Sequence, residues 1–375
     1  MSGRCEGGRA GSAPRGEYFC QQERWGSGLG VLVFWLVWAS GAVAQGFAGM
    51  GEAGDGFAEV VPGYQFEFPA DHGAHERFRI EWWYVTANLR GEDGRDYGIQ
   101  WTLFRNAMRA EVGTGWESNQ LWMGHAALTT PEQHYFGEKF ARGGVGQAGV
   151  TADPFEAWID DWVLDGPFDA LSAKASGGGF SYDLNLTSDA PIVFQGENGF
   201  SIKSESGKAS YYYSQPFYRV TGSVTAEGQE IAVTGQAWLD REWSTQPLEG
   251  AQAGWDWFSL HLDGGEKVML ARVRQEGSPD FHAGTWIAAD GTSQNLQDRK
   301  IALTPLEFHE TAGVDLPVRW RLEVPSKGLN VEVEAMNRDS YMTTLFPYWE
   351  GPVAVSGSHG GMGYLEMTGY GAERP

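Results

Sequence analysis

The stretch EWWYVTANLRGEDGRDYGIQWTLFR, residues 81–105, limits what this chain can become more than any other. Two runs rich in aromatic and β-branched residues flank GEDGRD, whose Gly and Asp residues supply turn chemistry. Residues two apart on a strand share a face. Glu81, Trp83, Val85, Ala87 and Leu89 then form one side of the first run, and Trp82, Tyr84, Thr86 and Asn88 the other. The pattern predicts a β-hairpin. Comparable runs recur along the chain, among them FEAWIDDWVL, FSYDLNLTS, YYYSQPFYRVTGSVTA, WDWFSLHL, VRWRLEVP and YWEGPVAVSG. Long stretches of helical period are nearly absent, so the fold class is all-β, built of barrels or sandwiches.

A faint echo divides the chain in two. YYYSQPFYRVTG…GQEIAVTGQAW near the middle resembles FPYWEGPVAVSG…GGMGYLEMTGYGA near the end, each with an aromatic start, a Val-x-Gly turn and a closing Thr-Gly. If each is the closing hairpin of a domain, the boundary falls near 245–253, within the Pro- and Gly-punctuated TQPLEGAQAG. The predicted domains are 57–249 and 250–375. A formal charge of −22 opposes nucleic-acid phosphates, so that class of partner is not expected.

Residues 1–44 read as a signal peptide. An apolar run from Leu29 to Ala39 follows Arg24, and Ala42-Val43-Ala44 offers a cleavage site. The run is short for a membrane span. These features predict a periplasmic or secreted protein. Both cysteines, Cys5 and Cys20, precede that cleavage site, so the chain from Gln45 on has no disulfide, thiolate metal ligand or thiol nucleophile.

No G-x-S-x-G, H-E-x-x-H or Walker sequence occurs, and a G-x-G-x-x-G at Gly144–Gly149 lacks the βαβ context that gives the motif meaning. Asp71, His72 and His75 in DHGAH offer metal-type side chains, but loop solvation or capping accounts for them. No metal or cofactor is predicted. The distinctive feature is GQAWLDREWSTQPLEGAQAGWDWFSLHL, residues 235–262, where four acidic side chains stand among four tryptophans. Strand alternation puts Gln236, Trp238, Asp240 and Glu242 on one face and Ala237, Leu239, Arg241 and Trp243 on the other. Asp256 shares a face with Phe258, Leu260 and Leu262, as Glu81 does with Trp83 and Val85. Two accounts are open. Such carboxylates pair with arginines such as Arg105, Arg219, Arg272 and Arg274, or they line a pocket. In the second case an apolar setting raises the carboxyl pKa, the acid keeps its proton, and tryptophan faces can stabilise a cation.

At EWWYVTANL, AWLDREWS, GWDWFSLHLDGGEKVML and YWEGPVAVSG…GYLEMTGY, the sequence resembles the CrtC/AttH family of lipocalin-like proteins, in particular the branch called predicted secreted hydrolases. The likeness runs from about Tyr64 to Tyr370. It implies two tandem lipocalin-like β-barrels with an apolar pocket near their junction, and chemistry like that of carotenoid 1,2-hydratases, which add water to an isoprenoid double bond. The family's Asp-His-x-Trp motif corresponds to Asp240-Arg241-Glu242-Trp243, with Arg241 at the His position. Asp240 is then the expected general acid, with Glu242 as a second proton-transfer group and Glu81 or Asp256 holding water. Trp83, Tyr213, Trp243, Trp255, Trp257 and His261 are the expected lining. The alternative implied by the fold is a lipid carrier serving an envelope system such as an ABC-type transporter. No nucleophile–base pair supports the hydrolase label.

Overall fold

The computed structural model describes residues 55–246, 248, 252–296 and 301–371, so the proposed signal peptide and both cysteines lie outside the described residues. Among these residues there is no α-helix, only strands and 3₁₀ turns. The strands form a 13-stranded sheet drawn from Ile80–Ser244 and a 10-stranded sheet drawn from Gln252–Thr368.

Both sheets place their first and last strands side by side. The strand Ile80–Gly91 lies between its hairpin partner Asp96–Ala107 and the last strand of its sheet, Gln229–Ser244. In the second sheet Gln252–Leu262 lies between Lys267–Gln275 and Gly361–Thr368. The echoed segments are therefore the closing hairpins of the two units: Ala209–Ala226 with Gln229–Ser244, and Tyr348–Gly357 with Gly361–Thr368. In the first unit the two ends of the sheet curl together, and His134–Arg142 packs on Ala170–Gly177 to make a nearly closed barrel. The second sheet ends at Ser293–Asn295 and Ala302–Thr311 without pairing them, and is a half-barrel.

Each interior is a packed core. Trp83, Trp101, Trp162 and Leu103 fill the first, and Phe258, Trp320, Trp349 and Leu365 fill the second, all buried. The outer faces of the closing strands are buried as well, because the two units lie against each other there. Tyr84, Tyr212 and Trp238 from the first unit meet Trp257, Met269 and Tyr364 from the second. This explains why both faces of EWWYVTANL are apolar: one fills a barrel, the other an interface. Hydrogen bonds fix the pair, including Asn88 Nδ2 to Gly363 O at 2.9 Å and Lys267 Nζ to Gln236 Oε1 at 2.7 Å. Gly98 permits the close approach, since a Cβ there would lie 2.6 Å from Pro352 Cγ and 2.7 Å from the Tyr364 hydroxyl.

Candidate functional site

Between the units, on the outside of both sheets, lies a cavity of roughly 840 Å³ including its open mouth. Trp82, Phe104, Trp255, Trp257, Met269 and Phe281 supply most of the wall. Against this apolar surface stand three carboxyls, Asp240, Glu242 and Glu366.

Among the described residues, Asp240 has no cation as a hydrogen-bond partner. The Tyr212 hydroxyl donates to Oδ2 at 2.7 Å, and Ser214 Oγ and Trp238 Nε1 donate to Oδ1 at 2.5 and 2.7 Å. Burial pushes its pKa up to about 7 against the pull of those three donors, and the nearby Glu242 adds to the rise. Tyr212 in turn accepts the Trp257 indole N–H at 3.3 Å, so the acid is oriented from both units.

Glu366 accepts the Trp255 indole N–H at 2.6 Å. Burial likewise pushes its pKa up to about 7, and Asp240 and Glu242 raise it further. Glu242 differs in being ion-paired to Lys203 Nζ at 2.9 Å and hydrogen-bonded by Ser210 Oγ. The Lys203 ammonium also lies 4.7 Å from the Tyr212 ring centroid. The cavity thus carries two carboxyls poised to exchange protons near neutrality and one held with a counter-ion.

Four of the residues singled out in the sequence come together here: Asp240, Glu242, Trp255 and Trp257. The others stand elsewhere. Glu81 is inside the first barrel, paired with Arg105 and with Arg241 Nη2 at 3.0 Å, and it accepts from His75 N at 2.8 Å. Although burial opposes ionisation, the two guanidinium groups hold it well below the usual carboxylate range. Asp256 is inside the second sheet, with Arg272 Nε at 2.7 Å, Arg274 Nη1 at 2.6 Å and the Tyr370 hydroxyl at 2.9 Å. Neither lines the cavity, so neither can hold a water there. For these two the arginine account of a buried carboxylate is the structural one.

Trp83 lies within the first barrel under the Arg241 guanidinium, 3.9 Å from its ring centroid. Trp243 stacks on His75 at 3.8 Å, and the Tyr213 hydroxyl meets His72 Nδ1 at 2.7 Å in the same interior cluster. His261 is in the interface against the edge of Trp238, beyond the cavity lining, and burial drives its pKa well below the ordinary value. Asp71 accepts from Tyr64 and from Glu67 N, at 2.8 and 2.7 Å, and meets His75 Nε2 at 3.1 Å. Among the described residues no group of three or more His, Cys, Asp or Glu is arranged to hold a metal ion.

Arg241 occupies the position where the resembling motif has His, and its side chain faces the barrel interior, opposite to Asp240. The substitution therefore changes the Glu81 ion cluster and leaves the cavity wall untouched. Glu366, Tyr212, Trp82 and Lys203 were missed by sequence reasoning. A signal for Glu366 was available in the internal echo. Glu242 stands opposite Trp82 in the first sheet, and Glu366 stands opposite Trp257 in the second, at the same place in each closing pair. Glu81 opposite Arg105 and Asp256 opposite Arg272 repeat the relationship inside the two units.

Fold and cavity together define a class: a tandem pair of lipocalin-like β-barrel units with an acidic, aromatic cavity between them. The model of the AttH-like family matches residues 59–370, and the chain belongs to that family. A solved Nitrosomonas europaea protein assigned as an AttH is 33% identical, with a TM-score of 0.75 over 84% of this chain and 100% of its own. The kievitone hydratase of Nectria haematococca is 15% identical, with a TM-score of 0.63 over 84% of this chain and 97% of its own, and shares the fold. No curated protein sequence matches the chain.

Proposed function

We propose that the protein is a hydratase that adds water across a carbon–carbon double bond of a lipophilic, isoprenoid-like substrate held in the cavity between its two units. The observation that carries this reading is Asp240: a carboxyl at the wall of an aromatic cavity, raised to about 7 and without a counter-cation among the described residues. Its proton passes to one alkene carbon as the π electrons form the new C–H bond. The cation left on the neighbouring carbon is held against the faces of Trp82, Trp255 and Trp257. Water adds its oxygen to that carbon and gives up a proton to the ionised Asp240, directly or by way of Glu366, and the reprotonated Asp240 completes the cycle. Wild type and Asp240→Asn, each incubated with a lipid extract of the producing cell, test the proposal by mass spectrometry. A lipophilic species that gains the mass of one water only with the wild type is the expected result. Its absence would remove the hydratase reading.

The apolar wall also favours a second reading, a lipid carrier that needs no acid. A lipid retained stoichiometrically and unchanged by both proteins would support it. Either activity fits a protein exported by residues 1–44, which we propose are removed; N-terminal sequencing of the mature protein checks this.

A further inference from the structure

Behind the cavity wall runs a line of buried polar groups that neither hydration nor lipid binding has yet used. Tyr84 lines the cavity and its hydroxyl donates to Glu350 Oε1 at 2.5 Å. Glu350 is also bonded by the Tyr348 hydroxyl. That hydroxyl lies 2.9 Å from His125 Nδ1, and His125 Nε2 lies 3.1 Å from Glu138 Oε1. Tyr84, Glu350, Tyr348 and His125 are all buried, whereas the Glu138 side chain is 22% exposed. The line crosses the interface twice, since Tyr84, His125 and Glu138 belong to the first unit and Tyr348 and Glu350 to the second.

We propose that Glu138, His125, Tyr348, Glu350 and Tyr84 form a proton path joining the cavity to the molecular surface. The need for one follows from the proposed hydration, on which this inference rests: a bound hydrocarbon covers the cavity acids while their protons must be redistributed. Burying four polar groups in a line that a fifth, Glu138, carries to the surface is costly compared with apolar packing, yet every link is a hydrogen bond. A proton arriving at Glu138 passes to His125 Nε2 while Nδ1 releases its own to the Tyr348 oxygen, whose hydroxyl proton moves to one oxygen of Glu350 as the acid proton of Glu350 passes to the Tyr84 oxygen and the Tyr84 hydroxyl proton leaves into the cavity. Every group ends with the number of protons it began with, and one proton has advanced. Glu350 stands directly opposite the cavity acid Glu366 in the strand pair, which gives the path a carboxyl neighbour at its inner end. Burial, reinforced by the charge of Glu366, raises the pKa of Glu350 well above the carboxylate range, so it keeps a proton to give. His125 is lowered by burial and remains neutral, with one nitrogen free to accept while the other donates.

The test needs no substrate. In protein labelled with ¹³Cζ-tyrosine, hydroxyl exchange into D₂O is read from the isotope shift of each ring carbon. Tyr348 sits mid-path and can exchange through His125 or through Tyr84. With either His125→Phe or Tyr84→Phe alone, exchange at Tyr348 is expected to slow by no more than about threefold, and with both together by about tenfold or more. Unchanged exchange in the double variant means that protons arrive by local opening, and overturns the path. The full effect from one substitution alone also overturns it, because the line is then open at one end only. Tyr218, whose hydroxyl donates to Phe168 O away from this line, reports that the variants remain folded. His125→Leu replaces His125→Phe if Tyr218 exchange accelerates. Failure to find a hydrated product would remove the proposed function and leave this result standing.

Discussion

Trp257 and Tyr212 belong to different units and meet across the interface, the indole N–H donating to the phenol oxygen at 3.3 Å. The same phenol donates to Asp240 at 2.7 Å. The acid of the first unit is therefore set by a side chain of the second, and docking of the units and orientation of the acid are one event.

Asp240→Asn keeps the shape and two acceptor–donor positions but removes the proton. Hydration is expected to fall by about 10²–10⁴-fold. Trp257→Phe, which removes the N–H behind Tyr212 and narrows the aromatic face in the cavity wall, is expected to cost less, on the order of tenfold. Turnover of the extracted substrate measures both. A loss in Asp240→Asn no larger than that in Trp257→Phe would show that Asp240 is not the proton donor.

The pH dependence of stability has a definite sign. Asp240 and Glu366 both have folded-state values near 7, above those of the unfolded chain. The folded protein then binds more protons between about pH 4 and pH 7, so their contribution is fully present at the acid end and is lost as the pH rises towards the folded value. The loss is on the order of 4 kcal/mol for each group. Asp240→Asn does not titrate, and its stability relative to wild type should rise over that range. Denaturant melts of the two proteins from pH 4.5 to 8.5 test this, and parallel curves would show that Asp240 is not raised. Glu81 acts with the opposite sign: its value is depressed, so its stabilisation is present above the unfolded pKa and disappears as the pH falls below it.

Arg241→His restores the residue of the resembling motif. Because the side chain faces Glu81 in the barrel interior, the expected effect is a loss of about 2–4 kcal/mol in stability with an unshifted Asp240 titration. Thermal unfolding and carboxyl NMR read the two quantities separately. A displaced Asp240 titration would show that the interior cluster reaches the cavity.

Gly98→Ala places a methyl group against Pro352 and the Tyr364 hydroxyl at distances no packed atoms adopt. The units must shift apart, at a cost of about 1–3 kcal/mol, and the cavity should bind apolar ligands more weakly. Quenching of cavity tryptophan fluorescence by a lipophilic probe follows the affinity. Unchanged binding would mean that the interface adjusts without disturbing the cavity.

A lipophilic tertiary amine resembles the cation of the proposed hydration. Its protonated form should bind at least about tenfold more tightly than the hydrocarbon of the same shape, through the tryptophan faces and cavity carboxylates. Calorimetry with the pair decides, and equal affinities would favour the carrier.

Much of the architecture was legible because strand alternation is a property of local sequence. It assigned Asp240 and Glu242 to one face and Arg241 and Trp243 to the other, and the strand keeps that division. Alternation does not say which face meets a ligand. Glu81 and Asp256 looked equivalent to Asp240, each being an acid on an apolar face, but theirs are interior faces supplied with arginines from the neighbouring strands. The cavity lies on the outer faces because a second unit covers them. That covering is a relation between residues such as Tyr84 and Glu350, 266 positions apart. No periodicity within either run carries it. Glu366 escaped notice for the same reason, since LEMT alone gives no hint of Trp257 opposite.

Glu242 beside Trp82 and Glu366 beside Trp257 stand at matching places in the two units. Each half of the chain carries one acid–tryptophan pair for a chamber that neither half encloses alone. Only the docking of the two units brings both pairs to one shared space. The third acid has no such match: the position in the second unit that corresponds to Asp240 is Tyr364, which belongs to the seam, so the chamber is symmetric in its pairs and one-sided in its acid.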